Sequence, residues 1–129
     1  EEMTRRMVLA LANPRVDILG HCTGRKVMGS GRPPSEFDAE IVFAACARFD
    51  VALELNCRPE RQDPPDELLE LAVQWGLNFA IDSDAHAPGQ LEWQAYGCDR
   101  AAQAGIPPEK IVNTQPAIDL IAWAGSNPA

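Results

Sequence analysis

Apolar and polar positions alternate along this chain in two periods, and their order predicts the fold. Residues 2 to 12 (EMTRRMVLALA) carry a helical pattern that stops at Asn13-Pro14. Val16 to Gly20 (VDILG) reads as a short strand. A Gly-, Arg- and Pro-rich loop over 24 to 37 leads to a helix at about 38 to 48, with Ser35 and Asp38 spaced as a capping box. Val51 to Asn56 (VALELN) is the next strand. The helix over 64 to 75 has Asp63 as its predicted cap, Pro64 in its first turn and a stripe of Leu68, Leu71, Ala72 and Trp75. Gly76 ends it. Residues 77 to 82 form a strand. A helix over 90 to 104 is expected to bury Leu91, Ala95, Cys98 and Ala102. A small strand at Ile111-Val112 and a helix over about 115 to 124 close the pattern. Strand–helix alternation of this kind predicts parallel strands with helices packed outside them, an α/β sheet or barrel in one domain over 1–129.

Parallel α/β architectures gather function at the carboxyl ends of their strands, where the loops share one mouth. The chain has two histidines, and both follow predicted strands: His21 after VDILG and His86 after FAIDSD. Side chains two apart on an extended chain point the same way, so Asp82, Asp84 and His86 would share a wall. In the preceding strand Ala52, Glu54, Asn56 and Arg58 lie on one face, and Val51, Leu53 and Leu55 on the other. A carboxylate with imidazoles suits Zn²⁺, Mn²⁺ or Fe²⁺ better than Ca²⁺ or Mg²⁺, which prefer all-oxygen shells. Each residue also has a blander reading. A lone histidine after a strand is more often a hydrogen-bonded loop residue than a ligand. Asp82 serves equally as a turn cap or a hydrogen-bonding residue behind a ligand, and Glu54 and Asn56 as buried structural groups. Arg25, Arg32 and Arg58 are plain solvated charges or, for Arg25 above all, a phosphate clamp.

Composition narrows the picture. The chain has 129 residues, 46% of them hydrophobic and only 6% aromatic, so Ala, Leu, Ile and Val must fill the core. Its net charge of -8 repels phosphate backbones unless metals or a local basic patch offset it. No apolar run approaches the ~20 residues of a membrane span, and the charged start lacks the h-region of a secretory signal. Four scattered cysteines (Cys22, Cys46, Cys57, Cys98) read as reduced thiols, with Cys46 and Cys98 on apolar helix faces. A cytoplasmic location and no membrane partner are expected. The absence of a starting Met points to a piece of a longer protein.

The segments VDILGHCTGR, ALELNCRPERQD, IDSDAHAPGQL and YGCDRAAQAG…IVNT, in that order, resemble successive signatures of the PHP (polymerase and histidinol phosphatase) family. The likeness runs from about Arg15 to Thr114. It is nearest to the PHP domain of bacterial X-family DNA polymerases and of related stand-alone proteins. The resemblance implies a distorted (βα)7 barrel with up to three divalent metals at its mouth and hydrolysis of phosphoesters. It implies His21, Asp84 and His86 as metal ligands, the last two serving different ions. Arg25 and Arg58 become substrate-binding candidates, and Glu54 and Asn56 candidates for hydrogen-bonding support behind the ligands, a role that Asp82 is assigned from its position alone. The family's early H-x-H pair, further histidines and bridging glutamate have no counterpart here. Cys22 and Asp82 stand where similar sequences carry proline and a small hydroxyl residue. The chain is therefore read as the C-terminal part of a PHP domain, its N-terminal part missing.

Such a piece, expected to be inactive or weakly active alone, would partner the missing part of its own domain or form a homodimer. The substrate is expected to be a phosphorylated small molecule or a nucleic-acid 3′ end. The alternatives are an amidohydrolase-like metallohydrolase acting on C–N bonds and a non-catalytic scaffold module.

Overall fold

The computed structural model describes residues 1–126. Helix α1 (Glu2–Leu11) buries Thr4 and Leu11 and ends just before Asn13-Pro14. Strand β1 is only Ile18–Leu19, and the rest of VDILG lies outside the ladder. Helix α2 (Ala39–Phe49) is capped by Asp38, whose carboxylate accepts from the Ile41 N–H at 3.2 Å. Ser35 takes no part in that cap: its N–H donates to the Thr23 carbonyl across the loop. The capping box does not form: Asp38, which that spacing places three residues after the cap, is itself the N-cap.

Strand β2 (Ala52–Asn56) is buried at all five positions. Helix α3 (Asp66–Gln74) starts two residues later than its sequence pattern predicts, and Asp63 does not cap it. That carboxylate turns inward and is spent on another loop, described below. The buried residues of α3 are Leu69 and Ala72, whereas Trp75 is partly exposed and donates its indole N–H to Glu40. Gly76 takes a positive φ of 70°, which lets the Leu77 N–H close back on the Ala72 carbonyl and end the helix.

Strand β3 (Phe79–Asp82) pairs with β2 in parallel, Leu53 against Phe79 through Asn56 against Asp82. The sheet runs β1-β2-β3, all parallel, and is open among the described residues. The α/β expectation holds in this form. The predicted fourth strand is a single bridge from Ile111 to Phe79. Beside it the Asn113 side chain stands in for a strand: its amide oxygen accepts from the Ile81 N–H and its amide nitrogen donates to the Ile81 carbonyl.

Helix α4 (Gln94–Gln103), reached through a 3₁₀ turn at Pro88–Trp93, corrects the sequence pattern most sharply. Leu91, Ala95, Cys98 and Ala102 are exposed, and the buried contacts are Gly97 and Ala101. A Cβ on Gly97 would lie 2.3 Å from Cys57 Sγ and 2.6 Å from an Ile81 methyl carbon. Smallness, not hydrophobicity, decides which face of α4 meets the strand ends. Cys98 is accordingly exposed, while Cys22, Cys46 and Cys57 are buried free thiols. Burial raises the pKa of all three.

The two faces of the sheet differ. Leu53, Leu55, Phe79 and Ile81 enter one core with Val42, Phe43 and Cys46 of α2 and Leu69 and Ala72 of α3. Across the sheet, Ala52, Ala80 and Val112 pack against Leu120 and Trp123 of helix α5 (Ala117–Ala124). This second cluster covers only the start of β2. Farther along the same face come Glu54 and Asn56. Among the described residues no helix is long and apolar enough to cross a membrane.

Candidate functional site

Three segments leave the carboxyl ends of the three strands and meet. The first follows β1. His21 takes a positive φ of 46°, and its N–H donates to Glu54 Oε1 at 2.8 Å. The next turn is fixed by Asp63. Its carboxylate accepts from the Thr23 N–H and hydroxyl, the latter at 2.7 Å, and from the Gly24 N–H at 2.9 Å. Gly24, with φ 67°, supplies the left-handed residue that lets neighbouring N–H groups face one anion.

The second segment follows β2. Asn56 is 1% exposed and satisfied on both sides. Its side-chain oxygen accepts from the Arg58 N–H at 3.0 Å, and its amide nitrogen donates to Asp84 Oδ2 at 3.2 Å. The Arg58 guanidinium pairs with Glu60, donates to the Asp84 carbonyl and to His86 Nδ1 at 2.8 Å each, and stacks on Trp93. Arg61 reaches Asp84 Oδ2 at 3.7 Å with one nitrogen and the Gly24 and Arg25 carbonyls with another.

The third segment follows β3. Extension ends at Asp82, and Asp84 is left-handed with φ 51°. The two-residue alternation assumed for Asp82, Asp84 and His86 therefore does not persist. A turn, not a strand face, brings Asp84 and His86 to one place, with Nδ1 3.9 Å from Asp84 Oδ1. Gln90 holds that turn by accepting the His86 N–H at 2.6 Å.

His21, Lys26, Arg58, Glu60, Arg61, Asp84 and His86 line a cleft of about 250 Å³. Both imidazoles are exposed at its rim. Three permanent cations face two carboxylates, so the cleft is locally positive in a chain of net charge -8. Behind it Glu54, Asn56 and Asp82 sit side by side. The Asp82 carboxyl is pushed up to about 8, first by burial, then by a hydrogen bond shared with Glu54, then by the charges of Glu54 and Asp84.

The cleft thus gathers His21, Asp84, His86 and Arg58 from the residues singled out in the sequence. Arg25 is placed elsewhere: its guanidinium donates to the Arg61 and Gln62 carbonyls and staples two loops together. Burial, followed by the nearby Arg100 charge, lowers its pKa. Lys26, Arg61 and Asp63 were missed. Arg61 follows Arg58 by three in R-P-E-R, a turn spacing that aims both at one side. Asp63 stands before Pro64-Pro65, the usual context of a helix cap, and nothing local marks its long-range partner.

The cleft offers the donor chemistry of a Zn²⁺, Mn²⁺ or Fe²⁺ site, but not a closed shell. Among the described residues no group of three or more His, Cys, Asp or Glu side chains converges closely enough to hold a metal ion. Asp84 is engaged by Asn56 and Arg61, and His86 by Arg58. These residues alone do not complete a metal site.

No family model matches the chain. Over 123 residues it is 30% identical to the DNA polymerase/3′-5′ exonuclease PolX of Bacillus subtilis, a match covering 95% of this chain and 21% of that protein. It is 29% identical over 115 residues to a probable phosphatase of Caldicellulosiruptor bescii, covering 85% of this chain and 45% of the relative. A probable phosphatase of Aeromonas hydrophila is 29% identical over 119 residues, with 88% and 45% covered. The chain therefore spans less than half the length of these curated relatives. The resemblance drawn from the motifs holds: the chain is PHP-like.

Proposed function

We propose that the chain contributes part of the site of a phosphoesterase, as the C-terminal portion of a (βα)7 PHP-type barrel. The observation that carries this reading is the cleft. It joins two imidazoles, two carboxylates and three cationic side chains from three strand ends that are remote in sequence. Relatives named as phosphatases and as a polymerase with 3′-5′ exonuclease activity support the same chemistry.

In this proposal His21, Asp84 and His86 are ligands to divalent ions, up to three of Zn²⁺, Mn²⁺ or Fe²⁺. Further donors come from the parts of the relatives' length that this chain does not span. Such ions lower the pKa of a bound water to near neutrality and neutralise charge on phosphoryl oxygens. Arg58, with Arg61 and Lys26, holds phosphate oxygens, a task for which guanidinium forks are suited. Arg25 supports these residues from behind by holding the Arg61–Gln62 backbone. The substrate is a phosphomonoester or phosphodiester, on a small molecule or at a nucleic-acid 3′ end.

The test compares the 129-residue chain with a polypeptide of the phosphatase relatives' length that contains it. Both are assayed on p-nitrophenyl phosphate with Mn²⁺, Zn²⁺ or Fe²⁺. The longer protein is expected to turn over and the chain alone to show little or none. Metal retained by the longer protein should fall in its His86→Ala variant. Turnover by the chain alone would overturn its incompleteness. A longer protein that cleaves an amide and ignores phosphate would overturn the phosphoesterase reading in favour of C–N hydrolysis.

A further inference from the structure

The cleft is built from loops, and three buried side chains tie its segments: Glu54 at His21, Asn56 between Arg58 and Asp84, and Asp63. Asp63 is 1% exposed and is not among the residues that line the cleft. It sits instead between two loops. The loop after β1 presents three donors to it: the Thr23 N–H, the Thr23 hydroxyl and the Gly24 N–H. On the other side, the Asp63 carbonyl accepts from the Asn56 N–H at 2.9 Å, which anchors it to the end of β2.

The two loops are what the cleft needs held in register. His21 and Lys26 flank the Thr23-Gly24 turn, and Arg58, Glu60 and Arg61 lie on the loop that leads to Asp63. Secondary ties run alongside: Arg25 to the Arg61 and Gln62 carbonyls, Arg61 to the Gly24 and Arg25 carbonyls, and the Val27 N–H to the Glu60 carbonyl. A second buried carboxylate, Glu54, takes the His21 N–H itself; among these ties Asp63 is the carboxylate bonded to the consecutive Thr23 and Gly24 N–H groups. Hydrogen bonds to an ionised acceptor are about twice as strong as neutral ones. An uncharged amide there would turn an N–H₂ toward N–H donors, leaving buried donors without partners.

We propose that Asp63 is a positioning residue, which through the Thr23-Gly24 turn holds His21 and Lys26 opposite Arg58 and Arg61 across the cleft. What the cleft binds rests on the function proposed above; the clamp itself does not. Its failure is therefore read separately from that of the phosphoesterase reading.

The test uses the isotopically labelled chain and its Asp63→Asn variant. In the variant the Thr23 and Gly24 amides should exchange hydrogen at least tenfold faster, and the His21 ring resonances should shift. Amides of Leu53, Leu55 and Ile81 should keep their protection. Inorganic phosphate titrated into both proteins should bind the variant severalfold more weakly wherever the wild type binds. Should Asp63→Asn not fold, Thr23→Val removes one donor at constant volume and should show the same pattern, while Thr23→Ser restores it. Unchanged Thr23 and Gly24 exchange and an unmoved His21 signal would overturn the clamp. So would a loss of protection spread evenly into the strands, which marks a merely structural residue. Absence of phosphate binding by the wild type counts against the cleft's proposed ligand and leaves exchange and the His21 signal to decide the clamp.

Discussion

The two faces of the three-stranded sheet solve different problems. On the face covered by α2 and α3, Leu53, Leu55 and Phe79 are at most 1% exposed and belong to the larger apolar cluster. Each such side chain removed from water contributes about 1.5–3 kcal/mol. On the other face the apolar cluster is small, and the sheet continues into Glu54, Asn56 and Asp82, buried or half-buried polar groups that lean on one another. The first face holds the chain together. The second tolerates crowded acids because it aims the strand ends at the cleft. Stability and chemistry are thus divided by the two-residue period of β2, one parity for each.

Substitutions that touch one face and spare the other sharpen the contrast. The largest effect is expected for Phe43→Ala, which empties a fully buried position against Leu53 and its neighbours. It should lower unfolding free energy by about 3–5 kcal/mol in a urea titration. A smaller loss would mean the helix-side core is looser than its packing implies.

Asn56→Ala should cost less, about 1–3 kcal/mol, because it strands polar partners rather than opening an apolar void. Its signature lies elsewhere: Asp84 Oδ2 and the Arg58 N–H both lose a partner. Resonances of His86 should broaden or shift while those of α2 stay put. Movement of α2 instead would dissolve the division between the faces.

The smallest effect is in pH dependence. Asp82 holds its proton up to about 8 in the folded chain, whereas an unfolded aspartate loses it near the ordinary carboxylate value. The folded state binds more protons over that window, so the stabilisation present at acid pH is lost as pH rises from the ordinary range through about 8. The group is only half buried, so solvent screening reduces the size of the slope. In metal-free buffer, urea midpoints should decline from pH 5 to 8, and Asp82→Asn should flatten that decline. A wild-type profile already flat would show that burial beside Glu54 does not raise the Asp82 carboxyl in the folded chain.

Where sequence reading worked, the signal was local and periodic. The strand parity of Leu53 and Leu55 against Glu54 and Asn56 was legible because alternation in an extended chain needs no tertiary information. The stops at Asn13-Pro14 and Gly76 were legible because proline and a positive φ act within one turn. Both histidines were found at the strand ends by the same logic. Reading failed where a residue's partner lies far along the chain. Asp63 looked like a helix cap and serves a turn 40 positions away. Arg25 looked like a phosphate clamp and holds backbone 36 positions away.

By itself, then, the sequence determined the parallel α/β order, the parity of β2 and the kinship carried by HCTGR and DSDAH, because these depend on short-range periodicity and chemistry. Tertiary structure alone decided that α4 buries Gly97 rather than Cys98, that the β3 edge is closed by an Asn113 amide, and that Lys26 and Arg61 join the cleft. Those outcomes turn on how closely two backbones approach and on which loop carbonyl a guanidinium reaches, distances set only when the segments are packed together.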